Sequence, residues 1–233
     1  GDRSFAGSGQ SENTISVEGH GQSRFGRVRY IEESLTNPWV TTPVFDYVRG
    51  EYRFDPEEVS VTHTRAVLFV KPDYFVVMDS IEGNGDHSYR MKYQLHQDLT
   101  AVADGVRVVG SSEDGPRIVV FPSRNDLTLS IVKGQDEPFK EGWHLLQEKR
   151  AEPAPALIYE WDEAAPAMVE TLLWPVPPPE SPQIQVKRSV TDTTVTLTVT
   201  RDSGTDVITR DDAGNMTLWR RQDGDLVAAG VFG

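Results

Sequence analysis

The sequence predicts an all-β protein, a large antiparallel β-sandwich with little or no helix, and three features carry that prediction. Apolar residues recur with a period of two, about a dozen strand-like segments follow one another every ~8–12 residues, and no long window shows an apolar stripe at the helical period. In Thr193-Thr194-Val195-Thr196-Leu197-Thr198-Val199-Thr200 apolar and hydroxyl residues alternate, which gives one strand a dry face and a wet face. Val195, Leu197 and Val199 are expected inside, with Thr194, Thr196 and Thr198 facing away.

The other elements follow in order. Ala66 to Val70 and Tyr74 to Met78 are continuously apolar, the pattern of strands covered on both faces. Lys71-Pro72-Asp73 between them is a short turn made of its usual residues. Gly83-Asn84-Gly85-Asp86 makes a second turn before a strand from His87 to His96. Leu127, Leu129 and Ile131 alternate with Thr128 and Ser130. Glu163 to Glu170 has the composition for one helical turn, but Pro166 interrupts it. Trp174-Pro175-Val176-Pro177-Pro178-Pro179-Glu180-Ser181-Pro182 favours polyproline II and cannot join a central strand. The strands beyond it amount to about 50 residues, thin for an independent core. The run is therefore read as a crossing loop (175–182) within one domain spanning 1–233.

Composition narrows the function classes. The chain has 233 residues, five Trp, nine Phe and no Cys, with a formal charge of −13. Lack of cysteine removes thiolate metal sites, thiol catalysis and disulfides, and leaves the compartment undecided. No apolar run approaches the roughly 18 residues a membrane helix needs, so no membrane partner is expected. Nor is nucleic acid, which requires a basic footprint. The acidic balance also argues mildly against this chain gripping a polyanionic sugar by itself. The chain opens Gly1-Asp2-Arg3 with no apolar leader, as expected of a mature or trimmed product whose signal peptide is gone.

Four stretches, taken together, resemble the C-terminal domain of the heparinase II/III family, which includes related alginate lyases. The first is Arg3-Ser4-Phe5 followed by Ser11-Glu12-Asn13-Thr14-Ile15-Ser16-Val17-Glu18-Gly19-His20-Gly21-Gln22. It is similar to a family segment in which His-Asn-Thr precedes a strand ending Val-Asp-Gly and a Gln. The second, His63-Thr64-Arg65 running into Val70 and then Tyr74 to Asp79, resembles the family's His-x-Arg strand and a hairpin partner ending in Asp. The third is His87 to His96, similar to a strand that carries Phe-His-Leu. The fourth is Gly142-Trp143, Pro153 to Ala156 and Thr171 to Pro175.

The resemblance implies a supersandwich-type domain of a polysaccharide lyase that cleaves uronate-containing polysaccharides by β-elimination. It also implies an N-terminal helical toroid, absent from these residues, that supplies a Tyr and an Asn or His. The partners implied are that toroid and an acidic polysaccharide or oligosaccharide of glycosaminoglycan or alginate type. The location implied is periplasmic or secreted. The family's sandwich contributes a His near its first strand, and a His/Asp/His zinc cluster braces the site. On this chain Gln10 stands at the catalytic His position and Glu12 at a ligand His. Asp46 in Phe45-Asp46-Tyr47 is the candidate for the ligand Asp, though the spacing there is loose. Gln94 falls on the last ligand, with His96 two residues on and expected on the same strand face. Glu12, Asp46 and His96 are thus candidate metal ligands of mixed oxygen and nitrogen type, but the replacements favour loss of the zinc over its retention. An amide cannot act as a base, so Gln10 is a candidate for hydrogen-bonding a substrate carboxylate, beside Asn13.

The remaining residues have plainer readings. His63 and Arg65 lie two apart on one strand face, and a hydrogen-bonded structural role is favoured for them. Trp143 is the candidate sugar-stacking aromatic, with His144 beside it; for Tyr159 and Trp161 burial is the commoner fate. Asp202, Asp206, Asp211 and Asp212 lack calcium-loop spacing and read as a solvated acidic face. Two functions stand: a sandwich completing the cleft of a lyase, and a carbohydrate-binding or structural sandwich from a degenerate family member. If a toroid docks, the covered face should lie around Gln10, Glu12, Asn13, Asp46 and His96, with Phe5, Phe25, Trp39 and Tyr47 supplying exposed aromatic area.

Overall fold

Strands that are apolar at every position need cover on both faces, and the computed structural model provides it with three layers. It describes residues 12–22, 38–54, 57, 59–113, 115–147, 150–177, 183–211, 214–223 and 225–232. The central layer is an eight-stranded antiparallel sheet. Its order is β2 (Trp39–Thr41), β3 (Phe45–Arg53), β4 (Thr62–Val70), β5 (Tyr74–Glu82), β14 (Ala167–Val176), β9 (Arg117–Pro122), β8 (Arg107–Ser111) and β7 (Thr100–Asp104). One outer layer has four strands, in the order β1 (Ile15–Val17), β6 (Asp86–Gln94), β13 (Pro155–Ala164) and β10 (Thr128–Lys133). The other is a five-stranded meander of β15 (Ile184–Val190), β16 (Thr194–Arg201), β17 (Gly204–Asp211), β18 (Met216–Gln222) and β19 (Asp225–Phe232). A hairpin of β11 (Trp143–Gln147) and β12 (Arg150–Pro153) completes the set, and the described residues contain no helix. The all-β sandwich expected from the sequence is the observed fold.

Parity along each central strand sends side chains into two separate cores. Leu68 and Val70 of β4, Val76 and Met78 of β5 and Leu172 and Trp174 of β14 pack with Leu197, Val199, Ile208 and Leu218 of the five-stranded sheet. Residues of the opposite parity, such as Ile81 and Val169, pack with Met91, Leu157 and Tyr159 of the four-stranded sheet. A fully buried Leu or Val contributes about 1.5–3 kcal/mol, so a strand that fills both cores stabilises twice. Val195, Leu197 and Val199 are buried, while Thr194, Thr196 and Thr198 are half-exposed on the far face. Leu127 is buried, but Ile131 on edge strand β10 is exposed.

The Gly83–Asp86 turn forms where expected, but it crosses layers instead of closing a hairpin: β5 lies in the central sheet and β6 in the four-stranded one. The β13–β14 corner makes the same crossing beside it, through the Pro166 turn. The two corners are tied by the Ala165 N–H donating to the Gly85 carbonyl at 2.8 Å. Pro175 and Val176, expected in the crossing loop and outside any central strand, instead end β14 within the eight-stranded sheet, paired with Ile118 and Arg117 of β9. The β5 pairing stops at Leu173, so the missing Pro175 N–H costs no ladder bond on that side. The run then leads to the other layer, and its Trp174 and Val176 share one core with Ile184 of β15. Residues 178–182 of that run lie outside the described residues.

The outward face of β6 carries a buried ion network. Lys92 Nζ lies 2.6 Å from Glu141 Oε1, and Arg90 Nη2 donates to Glu141 Oε2 at 2.7 Å. Glu141 is reached through a turn at Gly142, whose positive φ of 70° and close approach to the Val132 carbonyl leave no room for a side chain.

Candidate functional site

The segment Glu12–Thr14 enters β1 against β6, and hydrogen bonds from both sheets hold it there. The Asn13 side-chain oxygen accepts the Gln94 N–H at 2.7 Å, and the Thr14 carbonyl accepts the Lys92 N–H at 3.0 Å. From the central sheet, Arg65 Nη1 donates to the Asn13 carbonyl. One short segment therefore joins the edge of an outer sheet to the face of the central one.

Beneath it lies a buried carboxylate. Asp79 stands directly across from Arg65 in the β4–β5 register and is fully buried. Arg65 Nε and Nη2 donate to its two oxygens at 2.6 and 2.9 Å, and His63 Nε2 lies 2.7 Å from Oδ1. Burial pushes the Asp79 carboxyl up, but the Arg65 charge and the hydrogen bonds from His63 and Arg65 together hold it below the usual carboxylate range. An ionised carboxylate only accepts, so His63 carries its proton on Nε2. Its Nδ1 then accepts from the Gln22 side-chain amide at 2.9 Å. His63 and Arg65 share one face, as expected, and the hub that unites them is Asp79.

Above this hub is an open depression of about 400 Å³, bounded by Glu12 and Asn13, by Gln22, by Gly50 to Tyr52 of β3, and by His63 and Arg65. The register explains the grouping: Gly50 lies opposite Arg65 and Tyr52 opposite His63. Tyr93 is buried near Asp79, and burial followed by that carboxylate's charge raises its hydroxyl pKa, so it stays protonated. The depression thus has a fixed floor, with His63, Arg65 and Asp79 occupied by one another, and rim groups suited to hydrogen-bonding and orientation.

The candidate metal ligands do not meet. Asp46 is four residues along β3 from Gly50, roughly 13 Å at strand rise, and its carboxylate is held by Lys71 Nζ at 2.6 Å. β6 ends at Gln94, so His96 lies past the strand instead of on its face; it is half-exposed, near Asp98 and the His144 ring. Among the described residues no three His, Asp or Glu side chains converge. Gln94 meets this segment through its backbone N–H, which donates to the Asn13 side chain, while its own side chain turns elsewhere. Its amide donates to the Ala154 and Pro155 carbonyls at 3.2 and 3.0 Å. Its Oε1 is buried without a hydrogen-bond partner, but a lone neutral amide oxygen is a poor anchor for zinc, which takes imidazole, thiolate or carboxylate. The residues described do not fit the family's zinc.

Gln10, Phe5 and Phe25 lie outside the described residues, as does Asp212. Tyr47 was expected on an exposed docking face, but it is buried in the core beneath the five-stranded sheet; odd residues of β3 point there, away from Glu12. Trp39 is exposed on edge strand β2. Trp143 is half-buried, donates to the Gln135 carbonyl at 2.9 Å, and has the Lys140 ammonium 5.3 Å from its ring. Its neighbour Gly142 is linked to Gln94 through Ala154, whose N–H bonds the Gly142 carbonyl at 2.8 Å and whose carbonyl accepts from the Gln94 amide. Tyr159 and Trp161 are buried. Asp206 is fully buried, bonded by Tyr74 and Arg201, and so is no part of a solvated face. Sequence reasoning passed over Tyr52, and it passed over Asp79 as the hub. The signal for Asp79 was an acid ending a wholly apolar strand opposite His-x-Arg.

Comparison with known proteins places this geometry. No curated protein matches the chain. Its fold is similar to that of a heparan sulfate lyase, HepC from Pedobacter heparinus, with a TM-score of 0.66 and 18% identity over 87% of this chain and 30% of that one. It is similar also to a heparinase III, the BT4657 gene product, with a TM-score of 0.64 and 15% identity over 85% of this chain and 30% of that one. The chain therefore spans about a third of the length of these structures. The family model described as "Heparinase II/III-like, C-terminal" matches residues 2–172, a stretch that contains the Glu12–Asn13 segment, the Asp79 hub and Gln94, and this chain belongs to that family.

Proposed function

We propose that the chain is the C-terminal sandwich of a lyase that cleaves uronate-containing polysaccharides, heparan sulfate-like or alginate-like, by β-elimination in the periplasm or outside the cell. The reaction neutralises a carboxylate, removes the neighbouring proton and protonates the departing glycosidic oxygen. The described floor residues are committed to one another, so the acid and base are assigned to a helical domain N-terminal to this one. The part of this chain is positional: Asp79 orients Arg65, Arg65 holds the Asn13 backbone, and the amides of Asn13 and Gln10 hydrogen-bond the substrate carboxylate. Trp143 serves as a further sugar contact.

The supporting observation is the Asn13–Gln94 hydrogen bond over Arg65. It ties the backbone of one family position, Gln94, to another far away in sequence, Asn13, which borders the open depression. The test is to produce the chain together with the coding region that precedes it and to follow unsaturated-uronate absorbance with heparan sulfate and with alginate. The longer protein should generate the signal, Asn13→Ala should cut it about tenfold or more, and the 233-residue chain alone should give none. A longer protein that is folded but silent on both substrates overturns the reading. It would favour a carbohydrate-binding or structural sandwich, for which the Glu12 and Gln94 replacements already speak.

A further inference from the structure

The outer face of the five-stranded sheet lies wholly beyond the family match, which ends at residue 172, and its composition is unlike the rest of the chain. The inward parity of β16 to β18 fills the core with Leu197, Val199, Ile208 and Leu218. The outward parity presents hydroxyls in register: Thr196 opposite Thr209 and Thr209 opposite Thr217, with Thr198 and Thr200 in the neighbouring rows. Exposed threonine is ordinary on a strand. Trp219 is not: it stands on this face 46% exposed, opposite Val207, whereas Trp161 and Trp174 are buried. A large aromatic left in water on a strand paired on both sides forgoes burial that the core offers.

Strands β15 to β19 hold six Lys or Arg and three Asp, and the turns between them add Asp192, Asp202, Asp212 and Asp223. Arg188, Arg201 and Arg220 turn inward onto Glu170, Asp73 and Asp206. Lys187 and Arg221 are exposed on the outward parity, on opposite sides of the threonine rows. Arg221 is two residues from Trp219, about 7 Å along β18. Asp211, at the end of the face, is engaged by the Asn215 side chain at 2.9 Å.

We propose that this face binds an anionic polysaccharide, separately from the Asn13–Gln94 site. Trp219 stacks on the apolar face of one sugar ring, the threonine rows bond hydroxyls of its neighbours, and Lys187 and Arg221 pair with uronate or sulfate groups. Five strands give a flat platform about 19 Å across, which suits an extended chain more than a single sugar. Lys187 and Arg221 offer positive partners to acidic groups of the ligand on a chain whose net charge is −13.

The test is affinity electrophoresis and tryptophan fluorescence titration of the 233-residue chain with heparan sulfate, alginate and a neutral polysaccharide. The acidic polymers should retard the protein. Trp219→Ala should weaken binding about tenfold or more, Lys187→Ala and Arg221→Ala should weaken it and flatten its salt dependence, and Trp39→Ala should leave it unchanged. Trp219→Phe, with circular dichroism on every variant, separates lost stacking from lost fold: the Phe variant should retain most of the binding. Unchanged binding by folded Trp219→Ala, equal retardation by the neutral polymer, or self-association that Trp219→Ala abolishes would overturn the proposal. Asn13→Ala, which disables the proposed lyase site, should not alter this binding, so the two readings fail independently.

Discussion

Arg65 on β4 faces Asp79 on β5 as a direct cross-strand pair, with two guanidinium nitrogens 2.6 and 2.9 Å from the two carboxylate oxygens. The pair sits on the face that the central sheet turns toward the four-stranded layer. The third guanidinium nitrogen leaves the sheet to hold Asn13. A buried charge becomes a fixed point from which the entry to β1 is aligned, which links core electrostatics to the geometry of the candidate site.

Asp79→Asn should therefore destabilise the protein by about 3–5 kcal/mol, because it leaves Arg65 without its counter-charge in a buried setting. The pH dependence has a definite sign. The folded carboxyl is held below its ordinary value, so its contribution is complete above the unfolded value near 4 and is lost as pH falls through the lower folded value. Urea denaturation should show a constant gap between wild type and variant at about pH 5–8 that narrows below about pH 4. A gap that persists unchanged into acid would show that packing, and not the ion pair, carries the effect.

Lys92 and Glu141 form a second buried pair, with their charged atoms 2.6 Å apart. Burial lowers the Lys92 pKa, and the hydrogen bond and charge of Glu141 only partly offset that. Glu141→Gln should cost about 3–5 kcal/mol, since the ammonium is then buried with a neutral partner. Adding Lys92→Met should recover part of the loss, because an apolar chain of similar length removes the stranded charge. Thermal melts of the three proteins give the order; a double variant less stable than Glu141→Gln would contradict this account.

What the sequence disclosed, and what it did not, divides along physical lines. Strand parity is local, so the inward set Val195, Leu197 and Val199 and the doubly covered strands at Ala66–Val70 and Tyr74–Met78 were legible. Which layer a strand joins is decided by long-range pairing, so the turn at Gly83–Asp86 could be placed but not its crossing between sheets. Parity also says that Asp46 and Tyr47 point opposite ways without saying which core lies on either side, and Tyr47 proved to be inside. At the site, the resemblance singled out Glu12, Asn13 and Gln94, and strand register brings the Gln94 backbone to Asn13. Asp46 rested on loose spacing, and His96 on a strand that ends two residues earlier. The exposed Trp219 of the last sheet becomes visible only once alternate residues are assigned to faces.

The five-stranded sheet gives a direct test of that parity. Leu197 is buried among Leu172, Ile208 and Leu218, and Leu197→Ala should cost about 2–5 kcal/mol through lost transfer energy and the cavity left behind. Thr198, one residue on, faces out, and Thr198→Ala should fall within about 1 kcal/mol, set by β-propensity alone. Equal losses in chemical denaturation would mean that the sheet is covered on both faces.

The metal question can be settled without activity. Glu12 lies at the edge of the site depression, Asp46 is held by Lys71 farther along β3, and His96 is beyond the end of β6. Zinc affinity depends on three or four donors preset at bonding distance and braced by outer hydrogen bonds. Here the Gln94 amide, at a family ligand position, is turned onto main-chain carbonyls. Elemental analysis of the chain after dialysis should accordingly find well below one zinc per molecule, and melting temperature should be indifferent to a chelator. Gln94→His together with Glu12→His would restore two imidazoles to positions already joined through Asn13. That double variant should gain zinc uptake and a zinc-dependent rise in melting temperature, whereas Asp46→Ala should affect neither uptake nor melting in zinc. A stoichiometric, chelator-resistant zinc in the unmodified chain would show instead that the ligand set is completed from residues other than these three.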